Sequence, residues 1–124
     1  MNLIWLVAAG GAVGSVLRYL LAGAVQRTQG SPFPLGTVLV NIIGCFLIGL
    51  LYVWIIERDG PKAEWRALLM VGVMGGFTTF SSFSLETVTL AMQGNYGSAA
   101  LNVTVSVIAC LLGTLLGIVL ARQI

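Results

Sequence analysis

Four long apolar stretches fill almost the whole of this sequence, and only short polar segments separate them. A transmembrane helix needs about 20 consecutive apolar residues, so a chain of 124 residues holds four such helices and little else. Only 8% of the residues are charged, against about 25% in a typical soluble domain. We therefore expect an all-α membrane protein, a single four-helix transmembrane domain over residues 1–124, with spans at about 3–25, 35–56, 63–92 and 98–121.

Residue types that carry enzyme chemistry are scarce in this chain. It contains no histidine, and its two cysteines, Cys45 and Cys110, both lie inside apolar stretches. Histidine- and cysteine-based metal clusters and the Ser-His-Asp triad are therefore excluded. The six basic residues are scattered, which gives no nucleic-acid footprint, and the only concentrated charge, at residues 57–66, is predicted to form a loop at the membrane surface. We predict that the protein is not an enzyme and does not bind nucleic acid.

The first apolar stretch contains small residues and one charge. Its segment AAGGAVGSVLRY lacks the spacing of a phosphate-binding loop, so we interpret Gly10, Gly11 and Gly14 as positions where another helix packs closely. Arg18 lies about two-thirds of the way along this stretch, where a charge costs roughly 2.5 to 3.5 kcal/mol on insertion scales. We expect Arg18 to face protein or water rather than lipid.

The third apolar stretch is not predicted to form one continuous helix. It contains GGFTTFSSFSLET, residues 75–87, in which two adjacent glycines precede a series of serines and threonines. Glycines followed by hydroxyl residues at membrane depth indicate a broken helix, because an unwound backbone is tolerated only where protein surrounds it or where it lines a polar cavity. We place the break near residues 75–79.

The aromatic residues of this segment allow two interpretations. Phe77, Phe80 and Phe83 recur every three residues, so they are predicted to lie along one side of a helix, with hydroxyl groups around them. One interpretation is packing between helices. The other is an anion pathway, because the positive edge of a phenyl ring and nearby hydroxyl or amide donors can replace water around a small anion. In the second stretch, GTVLVNIIGCFLIG, Asn41 would supply such an amide, and Thr37 lies one turn earlier on the same face.

An anion pathway of this kind needs several weak sites in a row. Moving a bare ion into a low-dielectric medium costs tens of kcal/mol, whereas a hydrogen bond to a charged group returns about 1.5 to 3 kcal/mol. A single tight site would hold the ion, so a track of modest donors suits conduction better.

In the last stretch Asn102 and Ser106 are four residues apart and are predicted to share a helical face.

Other classes of membrane protein remain open on these residues alone. Glu86 is the only acid within the core of a predicted span, and a carboxylate there also suits a small dual-topology, proton-coupled exporter. Such an exporter would have a single acid with aromatic neighbours in the first span, where this chain has Arg18. A structural membrane subunit would instead have polar residues that form no continuous track.

The motifs GGAVGSVLRY, GTVLVNIIGCFLIG and GGFTTFSSFSLE resemble those of the bacterial fluoride channel family, also called CrcB, over essentially the whole chain. The resemblance implies a fluoride channel of the bacterial inner membrane that lets the anion leave the cytoplasm passively. It also implies an antiparallel, dual-topology homodimer, with sodium, fluoride and membrane lipid as its other partners.

The distribution of basic residues alone favours one orientation of the chain in the membrane. Arg27 lies on one side of the membrane, and four basic residues lie on the other: Arg58, Lys62, Arg66 and Arg122.

The resemblance also assigns roles to particular positions. Phe80 and Phe83 correspond to the paired aromatic residues of the fluoride path, and Asn41 corresponds to its pore amide. The main-chain carbonyls of Gly75 and Thr78 fall where the family coordinates a structural sodium ion between the two subunits. The remaining positions on or near the polar path, together with the family's basic residue in the first span, are Thr79, Ser81, Ser82, Glu86 and Arg18.

Overall fold

The structure is a computed structural model that describes residues 2–58 and 62–124. Within these ranges all regular structure is helical, and four helical stretches are long and apolar enough to cross a membrane. The prediction of an all-helical, multi-pass membrane protein is thereby confirmed. The middle of the predicted surface loop, residues 59–61, lies outside the described residues.

Five helices form the described part of the chain: α1 (Leu3–Gln29), α2 (Leu35–Glu57), α3 (residues 63–77), α4 (Phe80–Met92) and α5 (Tyr96–Gln123). The side chain of Asn2 accepts a hydrogen bond from the Ile4 N–H at 3.1 Å and so caps the start of α1. α1 continues to Gln29, beyond its predicted end near residue 25, because the left-handed turn that stops it comes only at Gly30, with φ of 64°.

Two extended residues separate α3 from α4. Thr78 has φ −87° and ψ 156°, and Thr79 has φ −150° and ψ 117°. The Thr79 hydroxyl oxygen accepts a hydrogen bond from the Ser82 N–H at 3.1 Å, which caps the first turn of α4. The helix is therefore interrupted between the last residue of α3, Phe77, and the first residue of α4, Phe80.

This interruption corrects one prediction. The three-residue spacing placed Phe77 on the same side as Phe80 and Phe83, but helical periodicity does not continue across the extended residues Thr78 and Thr79. Phe77 is buried at the end of α3 and lines an apolar cavity with Leu17 and Leu20 of α1. Phe80 and Phe83 share α4, where their rings are neighbours.

Glycines let the helices approach each other closely. A Cβ added at Gly10 or Gly14 of α1 would overlap a carbonyl oxygen of α3, and one added at Gly76 of α3 would overlap the carbonyl oxygen of Gly11. Backbone therefore packs against backbone along α1 and α3, as small residues permit between membrane helices. The interpretation as packing positions is confirmed for Gly10 and Gly14, whereas a Cβ added at Gly11 would meet nothing within 4 Å.

Three polar side chains are buried within the largely apolar core of the bundle, and many large apolar side chains are exposed. Thr37, Asn102 and Ser106 are buried, with Asn102 only 1% exposed, whereas the side chains of Leu85 and Leu111 are 69% and 67% exposed. Lipid-facing leucine has no cost in a membrane, and buried polar groups hydrogen-bond between helices there. The interior thus provides hydrogen-bonding groups on α2 and α5.

Gly117 of α5 is expected to tolerate no side chain. An added Cβ would overlap the Phe46 carbonyl oxygen of α2, whereas an added Cβ at Gly97 of the same helix meets nothing within 4 Å. We expect Gly117→Ala to lower the free energy of unfolding by about 1 to 3 kcal/mol, because the helices must separate. Gly97→Ala should change it by less than about 0.5 kcal/mol. Thermal unfolding in detergent measures both, and equal effects would contradict close packing of α2 on α5.

Candidate functional site

The break between α3 and α4 is held by Asn41 of α2. The Asn41 Nδ2 donates to the Thr79 carbonyl oxygen at 3.0 Å, and the Thr79 N–H donates to the Asn41 Oδ1 at 2.8 Å. One side-chain amide thus pairs with both backbone groups of an extended residue that has left the helical ladder. Because an amide nitrogen carries two hydrogens, Asn41 has a second N–H donor for another acceptor.

At the same break, two backbone N–H groups that would donate to carbonyls in a continuous helix donate to side chains instead. In a continuous helix the N–H of Thr79 would donate to Gly75 and the N–H of Ser82 would donate to Thr78. In this structure Thr79 donates to Asn41 at 2.8 Å, and Ser82 donates to the Thr79 hydroxyl at 3.1 Å. The carbonyls of Gly75 and Thr78 therefore lack the N–H donors that a continuous helix would give them.

Arg18 reaches from α1 to the end of α3. Its Nε donates to the Gly76 carbonyl oxygen at 3.0 Å, and the side chain is half-buried. Gly76 is the next-to-last residue of α3, where the helix dipole leaves partial negative charge on the carbonyls. The guanidinium therefore serves a backbone acceptor and faces protein, as predicted from its depth in the first stretch.

Substitution of Arg18 tests this contact. We expect Arg18→Gln to lower the free energy of unfolding by about 1.5 to 3 kcal/mol, the usual contribution of a hydrogen bond to a charged group. Arg27→Gln is the matched control, because the Arg27 Nε also donates to a carbonyl, that of Gly23, but within its own helix and in an exposed position. Its effect should stay below about 0.5 kcal/mol. Thermal unfolding in detergent compares the two, and equal losses would mean that the contact with Gly76 contributes little.

A cavity of about 320 Å³ lies beside the break. Phe80 and Phe83 line it, and their ring centroids are 5.3 Å apart with the ring planes at 50°. Phe83 is buried, whereas Phe80 is 79% exposed on the surface of the single chain. The hydrogen-bonding groups and thiols in the wall of this cavity, called here the phenylalanine cavity, come from Asn41, Thr78, Thr79, Ser106, Cys45 and Cys110.

A second cavity, also about 320 Å³, shares Thr79 with the first. Its wall includes Arg18, Thr37, Ser82 and Glu86, and it is called here the arginine cavity. The Thr37 hydroxyl donates to the Glu86 Oε1 at 2.8 Å, and the Glu86 Oε2 is buried without a hydrogen-bond partner among the described residues. Side chains of opposite charge, Arg18 and Glu86, thus line one space.

Most of the positions singled out in the sequence line one of these cavities. Asn41, Thr78, Phe80 and Phe83 line the phenylalanine cavity, Arg18, Ser82 and Glu86 line the arginine cavity, and Thr79 lines both. Ser81 and Gly75 are exposed and line neither. The Ser81 hydroxyl nevertheless lies 3.3 Å from the Thr79 hydroxyl oxygen, so it extends the hydroxyl cluster outward.

A chain of hydrogen bonds connects α5 to the backbone of Phe83. The Ser106 hydroxyl donates to the Asn102 Oδ1 at 3.3 Å, and the Asn102 Nδ2 donates to the Thr87 hydroxyl oxygen at 2.8 Å. Thr87 in turn donates to the Phe83 carbonyl oxygen at 2.7 Å. The shared face of Asn102 and Ser106 is confirmed, but no signal in the sequence identified Thr87 as its partner on another helix.

This chain is similar to known proteins over essentially its whole length. Residues 5–118 match the family described as CrcB-like protein, Camphor Resistance (CrcB). Relatives from Geobacter sulfurreducens and Coxiella burnetii (strain Dugway 5J108-111) are 50% and 45% identical over 124 and 125 residues, with 100% of each chain covered. A relative from Caulobacter vibrioides (strain NA1000 / CB15N) is 46% identical over 125 residues, which cover 100% of this chain and 98% of the relative. All three carry the name fluoride-specific ion channel FluC.

Proposed function

We propose, from the premise that this chain belongs to the CrcB-like protein family, that it is a fluoride channel of the bacterial inner membrane. The anion crosses passively, down its electrochemical gradient, and so leaves the cytoplasm without an energy source. The names of the relatives support a channel rather than an enzyme.

The observation that carries this proposal is the phenylalanine cavity. It brings the rings of Phe80 and Phe83 together with the amide of Asn41 and the hydroxyl of Thr79. Ring edges, a second amide N–H and a hydroxyl each attract an anion weakly, and none contributes a full positive charge. Fluoride held by such groups can leave again, as conduction requires.

The arginine cavity supports a path with more than one site. Thr79 belongs to both cavities, so a fluoride ion that leaves Phe83 meets the hydroxyls of Thr79 and then Ser82. Arg18 and Glu86 line the same space, and in its ionised form the Glu86 carboxyl group offsets the positive charge of Arg18. We infer a cavity that neither traps nor repels a passing anion strongly.

We also propose that two copies assemble as an antiparallel, dual-topology homodimer. The ring of Phe80 is 79% exposed in the single chain, and a Cβ added at Gly75 would meet nothing within 4 Å. A second copy packed against this side would cover both positions. Because four helices bury few residues by themselves, association would also shield the polar ends of the pathway from lipid.

The carbonyls of Gly75 and Thr78 suit a structural sodium ion between the two copies. Their helical donors are redirected to Asn41 and Thr79, so these oxygens are available to a hard cation. Two carbonyls from each copy would supply four dipoles without formal charge, which favours a monovalent ion over a divalent one. Within residues 2–58 and 62–124 no group of three or more acidic, histidine or cysteine side chains is placed to hold a metal ion.

Removal of sodium tests this assembly. We expect protein purified and reconstituted with N-methylglucamine as the only cation to lose its dimer or its fluoride flux, because carbonyls buried without a partner are costly. Protein prepared in parallel with sodium chloride is the control. Native mass spectrometry measures the dimer and any retained ion. A dimer that conducts normally and carries no sodium would contradict the site.

Efflux from liposomes tests the function itself. Purified protein is reconstituted with internal potassium fluoride, and efflux is started with valinomycin, which carries the counter-charge. We expect rapid fluoride release only with valinomycin, and no comparable release from matched liposomes that contain chloride. Release that requires a pH gradient instead would favour the proton-coupled exporter, and equal release of chloride would contradict fluoride selectivity.

A further inference from the structure

Two thiols lie next to each other in the wall of the phenylalanine cavity. Cys45 of α2 and Cys110 of α5 are free and half-buried, and their side chains line the same side of the bundle where α2 packs on α5. The helices approach closely here, because a Cβ added at Gly113 of α5 would lie 3.9 Å from the Cys45 Cβ. Both cysteines line the same cavity as Asn41 and Phe83. The proposed fluoride path uses neither thiol.

We propose that Cys45 and Cys110 form a binding site for a soft, two-coordinate divalent cation, with mercuric ion as the probe, and that the occupied site closes the phenylalanine cavity to fluoride. The first part of this proposal, binding of the cation, is called the binding half and is argued from the positions of the two thiols. The second part, closure of the cavity, is called the closing half and rests on the proposed function.

The chemistry of the pair favours a soft cation. Thiolates are the ligands that soft metal ions prefer, and the hard oxygen donors nearby, from Asn41 and Ser106, compete poorly for them. With mercuric chloride each S–H bond breaks, two Hg–S bonds form, and two protons and two chloride ions leave. The bis-thiolate product has no net charge.

Charge selects the divalent ion over its monovalent relatives. Silver or cuprous ion bound by two thiolates leaves a fixed net negative charge without a counter-ion, which, unlike a passing anion, stays buried at all times and is costly. The neutral mercuric product avoids that cost. The bound metal also bridges α2 and α5 beside Phe83, where it occupies the space that the anion needs.

Metal titration of the purified full-length protein in detergent tests the binding half. Mercuric chloride is added while the ultraviolet absorption of the mercury–thiolate bonds is followed, and bound metal is then challenged with glutathione. We expect one mercuric ion per chain in the native protein and none in the Cys45→Ala/Cys110→Ala double variant. Each single variant should release its metal at about 100-fold lower glutathione, because a second tethered ligand raises the effective concentration. Equal release from native and single-variant proteins would overturn the paired site.

Fluoride efflux from liposomes tests the closing half, with each protein compared with its own untreated flux. We expect mercuric chloride to reduce native flux at least about tenfold, dithiothreitol to restore it, and the double variant to be insensitive. Full flux in native protein that retains its metal would overturn the closing half. If the untreated native protein passed no fluoride, the proposed function and the closing half would both fail, while the titration would still decide the binding site.

Discussion

Replacing Asn41 by Asp is expected to reduce fluoride flux by about 30-fold or more. The carboxylate adds a negative charge, and at about 8 Å from a fluoride ion with an effective dielectric of about 20 the repulsion is about 2 kcal/mol. Aspartate also loses the N–H that donates to the Thr79 carbonyl at 3.0 Å. Both changes act on the phenylalanine cavity, one through charge and one through the break that Asn41 holds. Efflux from liposomes measures the loss.

Asn95→Asp is the matched control for this result. Asn95 is exposed in the turn before α5, so the same change of charge there should leave flux unchanged. Asn41→Ala separates the two causes, because it removes both hydrogen bonds to Thr79 without adding charge. Normal flux in Asn41→Asp would place Asn41 outside the path. A similar loss in Asn95→Asp would attribute the effect to the net charge of the protein.

Replacing Phe83 by Ile is expected to reduce flux by at least about tenfold while the dimer persists, a difference of about 1.4 kcal/mol. Isoleucine is bulky and apolar but has no aromatic edge with partial positive charge. Phe83 is buried in the cavity wall, and its ring is 5.3 Å from that of Phe80. Phe80→Ile should act in the same direction. Phe33→Ile, in the loop before α2, is the control and should keep its flux.

The oligomeric state of these variants decides how the result is interpreted. Size-exclusion chromatography in detergent should show the same dimer for the native, Phe80→Ile and Phe83→Ile proteins. Full flux in both variants would assign the two rings to helix packing rather than to the anion path. Loss of the dimer together with flux would mean that the rings act at the interface.

Much of the fold follows from the apolar stretches, because each is long enough to cross a membrane and interrupted by few charges. The membership of the CrcB-like family confirms the resemblance in the motifs. Helix ends were less predictable. The first span was predicted to end near residue 25, yet Arg27 and Thr28 are helical, because the residue that ends the helix is Gly30.

The candidate site was partly predictable because spacing fixes faces within one helix. Thr37 and Asn41, four residues apart, both reach across from α2, Thr37 to Glu86 and Asn41 to Thr79. Spacing does not say which helix lies opposite, so those two partners were not predicted. Phe77 was assigned wrongly for a related reason, since the extended backbone of Thr78 ends the periodicity on which the assignment depended.

The Thr79 hydroxyl can change its hydrogen-bond partner while the backbone around it stays fixed. Its oxygen is anchored by the Ser82 N–H at 3.1 Å, while its single hydrogen has two acceptors within reach, the hydroxyl oxygens of Ser82 at 3.2 Å and Ser81 at 3.3 Å. Rotation about one C–O bond exchanges the two, which is a picosecond-to-nanosecond event. The three hydroxyls can therefore exchange hydrogen-bond partners while the backbone stays fixed, and a hydroxyl hydrogen freed by the exchange is able to turn toward an arriving ion.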